Sequence, residues 1–116
     1  MTKGKYTKKT EELLKDLELY RSSLEYYEEI RGCAELSIRQ HNVIERKQKF
    51  LTRTLSAVER AMTKLNGTER EVVTELFFNG KEIDDVCEKC ALERSSIYRY
   101  RASAMRKMAV ALYGEE

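Results

Sequence analysis

The 116-residue sequence contains no proline, no tryptophan, one histidine and only five glycines. Proline and glycine interrupt helices, so their scarcity beside abundant Glu, Lys, Arg, Leu and Ala predicts long helices and an all-α fold. Nowhere do about eighteen apolar residues follow one another, and the residues after Met1 are polar. We therefore expect neither membrane insertion nor secretion.

Chemistry-bearing side chains are also few. Three cysteines, an odd number without a signal peptide, predict reduced thiols and a cytoplasmic location. A single histidine, with no glycine-rich phosphate loop and no compact acidic cluster, predicts a protein that is not an enzyme and carries no catalytic residues or cofactor. Cys87 and Cys90 have the spacing of half a zinc site, and Cys33 with His41 could complete it. Because the pair occupies core positions of a predicted helix rather than a tight turn, we expect no metal.

The charge of the chain is unevenly distributed, although the net value is only +2. Five basic residues and no acidic residue lie between Arg94 and Lys107, whereas residues 69–93 contain eight acids and three bases. A basic helix that follows an acidic support is typical of nucleic-acid-binding domains. The basic residues near the N-terminus are expected to form a frayed, solvated tail: Lys3, Lys5, Lys8 and Lys9.

Apolar residues recur at steps of four and three in two segments of the first half. The first series is Leu13, Leu17, Tyr20, Leu24 and Tyr27, and the second is Leu51, Leu55, Val58, Met62 and Leu65. The pattern predicts one helix within residues 11–30, a turn at Gly32 or at the polar run 39–42, and a second helix. We expect residues 1–64 to form an antiparallel, coiled-coil-like helical hairpin for assembly or partner binding. Packing of each helix against another subunit is the alternative.

Turn signals divide the second half into three short helices. Asn66 and Gly67 should end the preceding helix, and Thr68 should cap a new helix through a capping box with Glu71. Asn79 and Gly80 end that helix, and a series of apolar positions defines the next one: Ile83, Val86, Cys87 and Cys90. About four residues, 91–94, then connect to the last helix, which is the length a helix-turn-helix requires. We expect this domain to span residues 65–116.

The last helix begins near Arg94 and has two distinct faces. Its inward series is Ile97, Tyr100, Ala104 and Met108, and its outward residues are Arg94, Ser95, Ser96, Tyr98, Arg99 and Arg101. A DNA major groove admits one helix, arginine can bond guanine in bidentate fashion, and a helix N-terminus favours a phosphate. The outward residues therefore form the predicted DNA-binding site.

Residues 65–108 resemble region 4 of sigma-70-type factors, the helix-turn-helix that reads the promoter −35 element. The resemblance is carried by Leu65 and Glu71-Val72, by Ile83 and Asp85-Val86-Cys87, and by Ser95-Ser96-Ile97, Tyr100, Ala104 and Met108. No region-2-like segment precedes these residues, and the whole chain is similar to small phage and prophage regulators of the ArpU/RinA type. The resemblance implies control of late phage genes, with RNA polymerase as a further partner.

The sequence departs from the region-4 pattern at the turn. Ala91 replaces the usual turn glycine, and Glu93 replaces the serine that would cap the reading helix. A carboxylate at a phosphate-facing helix start is unfavourable for DNA, so Ser95 is an alternative cap that would shift the helix start.

Together these patterns predict a transcription regulator that binds double-stranded promoter DNA in a sequence-specific way. A homodimer is expected, because two half-sites double the contacts available to a small reading surface. One alternative is a phage DNA-packaging subunit, similar to a small terminase, that assembles as a ring. Another is an interaction protein that docks on polymerase through the same fold without touching DNA.

Overall fold

The computed structural model describes residues 4–33 and 35–116, and within these residues all regular secondary structure is helical. The helices are α1 (Lys5–Lys15), α2 (Leu17–Arg31), α3 (Ile38–Met62), α4 (Gly67–Val73), α5 (Ile83–Cys90) and α6 (Arg94–Tyr113). One π-helical turn, Thr74–Phe78, continues α4. The predicted all-α fold is confirmed. No helix of the described residues is both long and apolar enough to cross a membrane.

The chain before the first turn forms two helices, so the prediction of one helix over residues 11–30 is wrong. The break lies at Asp16, whose backbone N–H still donates to the carbonyls of Glu12 and Leu13. Leu14 and Leu17, on either side of the break, are both almost fully buried in the main core.

Helix α1 packs along α6, so the predicted frayed tail is wrong for Lys5, Lys8 and Lys9, whose side chains are nevertheless exposed to solvent. Lys3 lies outside the described residues. The Tyr6 ring stacks on Tyr113 with 5.1 Å between centroids. The main-chain oxygen of Glu116 accepts hydrogen bonds from the backbone N–H groups of Tyr6 and Thr7 at 2.9 and 3.0 Å. The first N–H groups of a helix have no acceptor within the helix, and here the C-terminal residue of the chain provides one.

Residues 32–37 connect α2 to α3, and the two helices run antiparallel against each other. Gly32 lies at the end of α2, as predicted, but the second predicted turn, residues 39–42, is part of α3. The reason is a capping box. The Ser37 hydroxyl accepts from the backbone N–H of Gln40 at 3.1 Å, and the Gln40 side chain accepts from the backbone N–H of Ser37 at 2.8 Å. We call these helices the α2–α3 pair.

A second capping box starts α4, two residues before the predicted position. The Asn66 side chain accepts from the backbone N–H of Glu69 at 2.8 Å, and the Glu69 carboxylate accepts from the backbone N–H of Asn66 at 2.9 Å. Asn66 and Gly67 therefore begin a helix rather than end one, and Thr68 is not the cap. The predicted stop at Asn79 and Gly80 is confirmed, since Gly80 adopts a φ of +62°.

Two apolar clusters hold the helices together. The main core contains Leu14, Leu17, Val58, Ala61, Met62, Leu65, Val73, Ala104, Met105 and Met108, with α6 at its centre. A smaller core lies between α4, α5 and α6. Residues on both sides of position 65 contribute to the main core, so the division into domains at that position stays a prediction.

Candidate nucleic-acid interface

Helices α4, α5 and α6 form a three-helix unit around their own small core. Val72, Val86 and Ile97, one from each helix, have no exposed surface. Partly buried apolar side chains surround them: Leu76, Ile83, Cys87, Cys90, Leu92 and Tyr100. Helix α5 has the predicted extent, and the start of α6 at Arg94 is confirmed.

The connection between α5 and α6 is only three residues long, because Ala91 adopts a left-handed conformation with φ 54° and ψ 45°. The backbone N–H of Leu92 donates to the carbonyl of Cys87 at 3.1 Å, which closes a Schellman-type turn. Glycine normally occupies this position, since an L side chain in this region crowds its own backbone. The turn sets the direction in which α6 leaves α5.

Replacing Ala91 with glycine should stabilise the protein by about 0.5–1 kcal/mol, because removal of the left-handed strain exceeds the gain in unfolded-chain entropy. Thermal unfolding should show a midpoint raised by a few degrees. Gly80→Ala is the matched control. It places an alanine at φ +62° with no atom within 4 Å of the new Cβ, so it should lower the midpoint through backbone strain alone. If both substitutions shifted the unfolding midpoint in the same direction, backbone strain would not explain the effect.

Glu93 occupies the N-cap position of α6 but its side chain makes no capping hydrogen bond. The helix nevertheless begins at the next residue, so the alternative in which Ser95 is the cap is wrong. The backbone N–H groups of the first turn are consequently not occupied by a side-chain cap.

The inward face of α6 is as predicted. Ile97, Ala104 and Met108 are fully buried, and Tyr100 is half-buried against the small core. Sequence periodicity missed Met105 and Ala109, which are also fully buried. The steps of three and four predicted one stripe, but α6 contacts helices on several sides and therefore buries a wider face.

The structure brings most of the predicted contact residues together at the N-terminal end of α6. Ser95, Tyr98 and Arg99 are exposed, Arg94 is exposed beside them, and Ser96 is half-buried. Tyr98 leaves 46% of its surface exposed, which is high for a large aromatic side chain. Spacings of three and four residues place the exposed side chains on one patch, which we call the α6 patch.

Arg94 is held by a partner that the sequence analysis did not predict. Its guanidinium donates to the Asp84 carboxylate on α5 at 2.7 Å. A hydrogen bond with Tyr98, followed by the charge of Asp84, raises the pKa of Arg94 above its ordinary value. The side chain is thus a permanent cation that is oriented across the turn between the two helices.

Arg101 differs from the other predicted contact residues. Its guanidinium lies over the Phe77 ring at 5.3 Å from the centroid, and its Nε is buried without a hydrogen-bond partner. Arg99, in contrast, is exposed and reaches over the ring of its neighbour Tyr100 at 5.8 Å. Arg99 is therefore the more accessible of the two guanidinium groups.

The two basic residues near the C-terminal end of α6 differ in whether they pair with another helix. Lys107 donates to the Glu69 carboxylate at 2.7 Å, and the Ser103 hydroxyl donates to the same carboxylate at 2.6 Å. Glu69 is only 1% exposed, and burial raises its pKa, but the hydrogen bonds from Lys107 and Ser103 outweigh burial and leave the pKa lowered. Both Arg106 and Lys107 are exposed, but Lys107 is engaged in joining α6 to α4 through its ion pair.

A second buried carboxylate lies on the π-helical turn. Lys89 donates to Glu75 at 2.6 Å, Lys81 pairs with it at 3.0 Å, and Asn79 donates at 3.2 Å. The hydrogen bonds from Lys89 and Lys81 lower the pKa of Glu75 to about 2, although burial opposes the shift. These two lysines are committed to anchoring α5 and the preceding loop to α4.

The cysteines do not converge. Cys33 is exposed at the end of α2, whereas Cys87 and Cys90 are half-buried at the small core. Burial and the nearby Glu71 carboxylate raise the pKa of the Cys90 thiol, which keeps it protonated at neutral pH. Across residues 4–33 and 35–116, no three His, Cys, Asp or Glu side chains are grouped as metal ligands.

The fold and this surface define an all-helical protein with a basic, exposed helix end. Comparisons with protein-family models, curated proteins and solved structures find no match. The function of the chain must therefore be inferred from the α6 patch and from the resemblance carried by the sequence.

Proposed function

We propose that α4, α5 and α6 form a helix-turn-helix and that the protein is a sequence-specific DNA-binding transcription regulator of phage type. The observation that supports this most directly is the α6 patch: exposed Arg94, Ser95, Tyr98 and Arg99 at the start of a helix that contains no acidic residue. In this proposal the N-terminal end of α6 enters the major groove of promoter DNA.

Each part of the patch has a distinct role in the proposed complex. Arg94 and Arg99 can each bond the O6 and N7 atoms of a guanine, while Ser95 and Tyr98 supply hydroxyls for bases or phosphates. Arg106, about three turns further along α6, is placed for a phosphate. Phosphate contacts would provide salt-dependent affinity, and contacts to base edges would provide sequence choice.

Selection of bound fragments from fragmented host and prophage DNA, followed by footprinting, tests the proposal and identifies the target. We expect one or a few protected sites, with an affinity that falls steeply as salt is raised. Failure to bind any fragment at about 50 mM salt, a condition that favours even nonspecific association, would refute DNA binding.

A second candidate is a protein that docks on RNA polymerase through the same unit without touching DNA. It is favoured by the acidic surface of α5, where Asp84, Asp85 and Glu88 are exposed beside the α6 patch and would repel phosphates. Capture of polymerase by a protein that binds no genomic fragment would support this candidate.

A further inference from the structure

An open apolar groove runs along one face of the α2–α3 pair. It measures about 530 Å³, and its apolar and aromatic lining comes from Leu19, Tyr20 and Tyr27 of α2 and from Val43, Phe50 and Leu51 of α3, with Ser23, Arg46 and Lys47 at its rim. Leu19 and Phe50 each leave 63% of their surface exposed. Contiguous exposed apolar side chains of this kind are a common feature of surfaces that bind another protein.

The opposite face of the same helix pair is different in character. It is lined by polar and charged side chains, among them Glu28, Arg31, Glu45 and Lys49. Arg31 donates to Gln48 at 2.9 Å, and Lys49 pairs with Glu45 at 3.5 Å. Because one face is apolar and the other is solvated, the pair is built to be covered on one side only.

The outer edges of the two helices carry opposite charges. Successive residues of a helix are rotated by 100°. On α2, this places Glu18, Glu25 and Glu29 on the edge that points away from α3. On α3, it places Arg39, Arg46 and Arg53 on the edge that points away from α2. All six are exposed, and none makes a salt bridge with another described residue. The helix pair therefore has one acidic and one basic edge, and on the basic edge Arg46 reaches the apolar groove while Arg53 also borders the polar face.

We infer that a second copy of this chain covers the groove, with α2 of each copy lying on α3 of the other in a four-helix bundle. An acidic and a basic edge on one surface become complementary to each other when a two-fold axis parallel to the helices relates the copies. Glu18 and Glu25 then face Arg53 and Arg46 of the second copy. Both rows step by seven residues, about 10.5 Å, so the two pairs fit in register.

The charges also exclude the other way of closing the groove. If α2 lay on α2 and α3 on α3, the acidic edges would meet each other, as would the basic edges, and like charges across an interface are unfavourable. The chosen arrangement additionally keeps both three-helix units at the same end of the bundle, because Leu17 of α2 and Val58 of α3 anchor that end in the main core. The inference does not depend on DNA binding.

Sedimentation equilibrium over a range of protein concentrations tests the surface. The wild-type chain should dimerise, and Phe50→Glu should weaken the dimer at least about tenfold, since it buries a charge at the centre of the contact. Thr52→Glu, which adds the same charge on the polar face, is the matched control and should leave dimerisation unchanged. Circular dichroism should show equal helicity, because Phe50 is already exposed.

Charge exchange tests the arrangement. Homodimers of Glu18→Arg/Glu25→Arg and of Arg46→Glu/Arg53→Glu should each be weaker than wild type by about tenfold, because each places like charges in contact. An equal mixture of the two variants should form a heterodimer in which every facing pair is again of opposite charge. Tagged copies measured by sedimentation or native mass spectrometry would distinguish it.

Three results would overturn the inference. The first is a wild-type chain that remains monomeric up to about 1 mM, a concentration at which an interface of even −4 kcal/mol is half-occupied. The second is a Phe50→Glu dimer as stable as the Thr52→Glu dimer. The third is a Glu18→Arg/Glu25→Arg homodimer as stable as wild type, as expected if α2 lay on α2, since like charges would then face each other in both proteins.

Discussion

Alanine in place of both Arg94 and Arg99 should abolish sequence-specific DNA binding and leave helicity and thermal stability intact. Both side chains are exposed, and the ion pair of Arg94 with Asp84 lies on the surface, where such pairs contribute little to folding. In a DNA complex each guanidinium would contact a base, so the double variant should lose at least about tenfold in specific affinity. A titration with the selected operator and with unrelated DNA measures both affinities.

The control must remove the same charge elsewhere. Lys5 and Lys8 are exposed on α1 near the far end of α6, where Tyr6 stacks on Tyr113, so Lys5→Ala/Lys8→Ala lowers the net charge equally. This variant should change nonspecific binding only slightly and should keep the preference for the operator. If the two double variants lost equal affinity for operator DNA, bulk charge would explain binding, and the assignment of the α6 patch would be wrong.

Asp84 adds a more selective version of the same experiment. Its carboxylate orients Arg94 at 2.7 Å but also repels phosphates. Asp84→Ala should therefore weaken discrimination between operator and unrelated DNA while leaving nonspecific affinity equal or higher. The ratio of the two affinities separates this positioning role from a simple loss of charge.

Helix α6 could be predicted from the sequence because its inward residues follow a 3.6-residue period and because Gly80 and the short span 91–93 delimit the unit. Ala91 was recognised as a departure from the usual glycine, and its φ of 54° shows that the turn is formed in spite of the strain. Local pattern was sufficient here, since the helix spacing and the turn length are both local properties.

Capping boxes show where local pattern fails. Asn66 with Glu69 and Thr68 with Glu71 are overlapping candidates of the same kind, and the predicted cap was Thr68. The structure uses the first because Glu69 is buried against α6, where Lys107 and Ser103 donate to it. That preference depends on residues more than thirty positions away. The box from Ser37 to Gln40 was detectable in the sequence, but weak periodicity nearby favoured a loop.

The contact partners of the α6 arginines likewise could not be predicted from the sequence. The pattern predicted Arg94, Arg99 and Arg101 as outward residues, with Arg94 and Arg99 as the main DNA contacts, but it could not predict their partners. The structure distinguishes them: Arg94 is held by Asp84, Arg99 is accessible, and Arg101 lies over Phe77. Each partner comes from another helix, so only the tertiary arrangement reveals which guanidinium is available to a ligand.

Replacement of Glu69 with alanine should produce the largest loss of stability among the changes considered, on the order of 3 kcal/mol. The carboxylate caps the first turn of α4 through Asn66, and it also joins α4 to α6 through Lys107 and Ser103. Its removal takes away three hydrogen bonds at once and leaves the Ser103 hydroxyl without its acceptor. Urea or thermal unfolding, followed by circular dichroism, measures the change in free energy.

The comparison with Glu71 shows whether burial is the cause. Glu71 lies on the same helix but is exposed, so Glu71→Ala should change stability by less than about 0.5 kcal/mol. A cycle with Lys107→Ala separates the ion pair from the cap: the two losses should be less than additive if Lys107 acts mainly on Glu69. Because α6 is anchored by this carboxylate on α4 and by Ile97 on α5, a loosened Glu69 contact should also reduce DNA affinity without altering any residue of the α6 patch. Equal stability of the Glu69→Ala and Glu71→Ala variants would show that the hydrogen bonds at Glu69 do not determine how α6 is held.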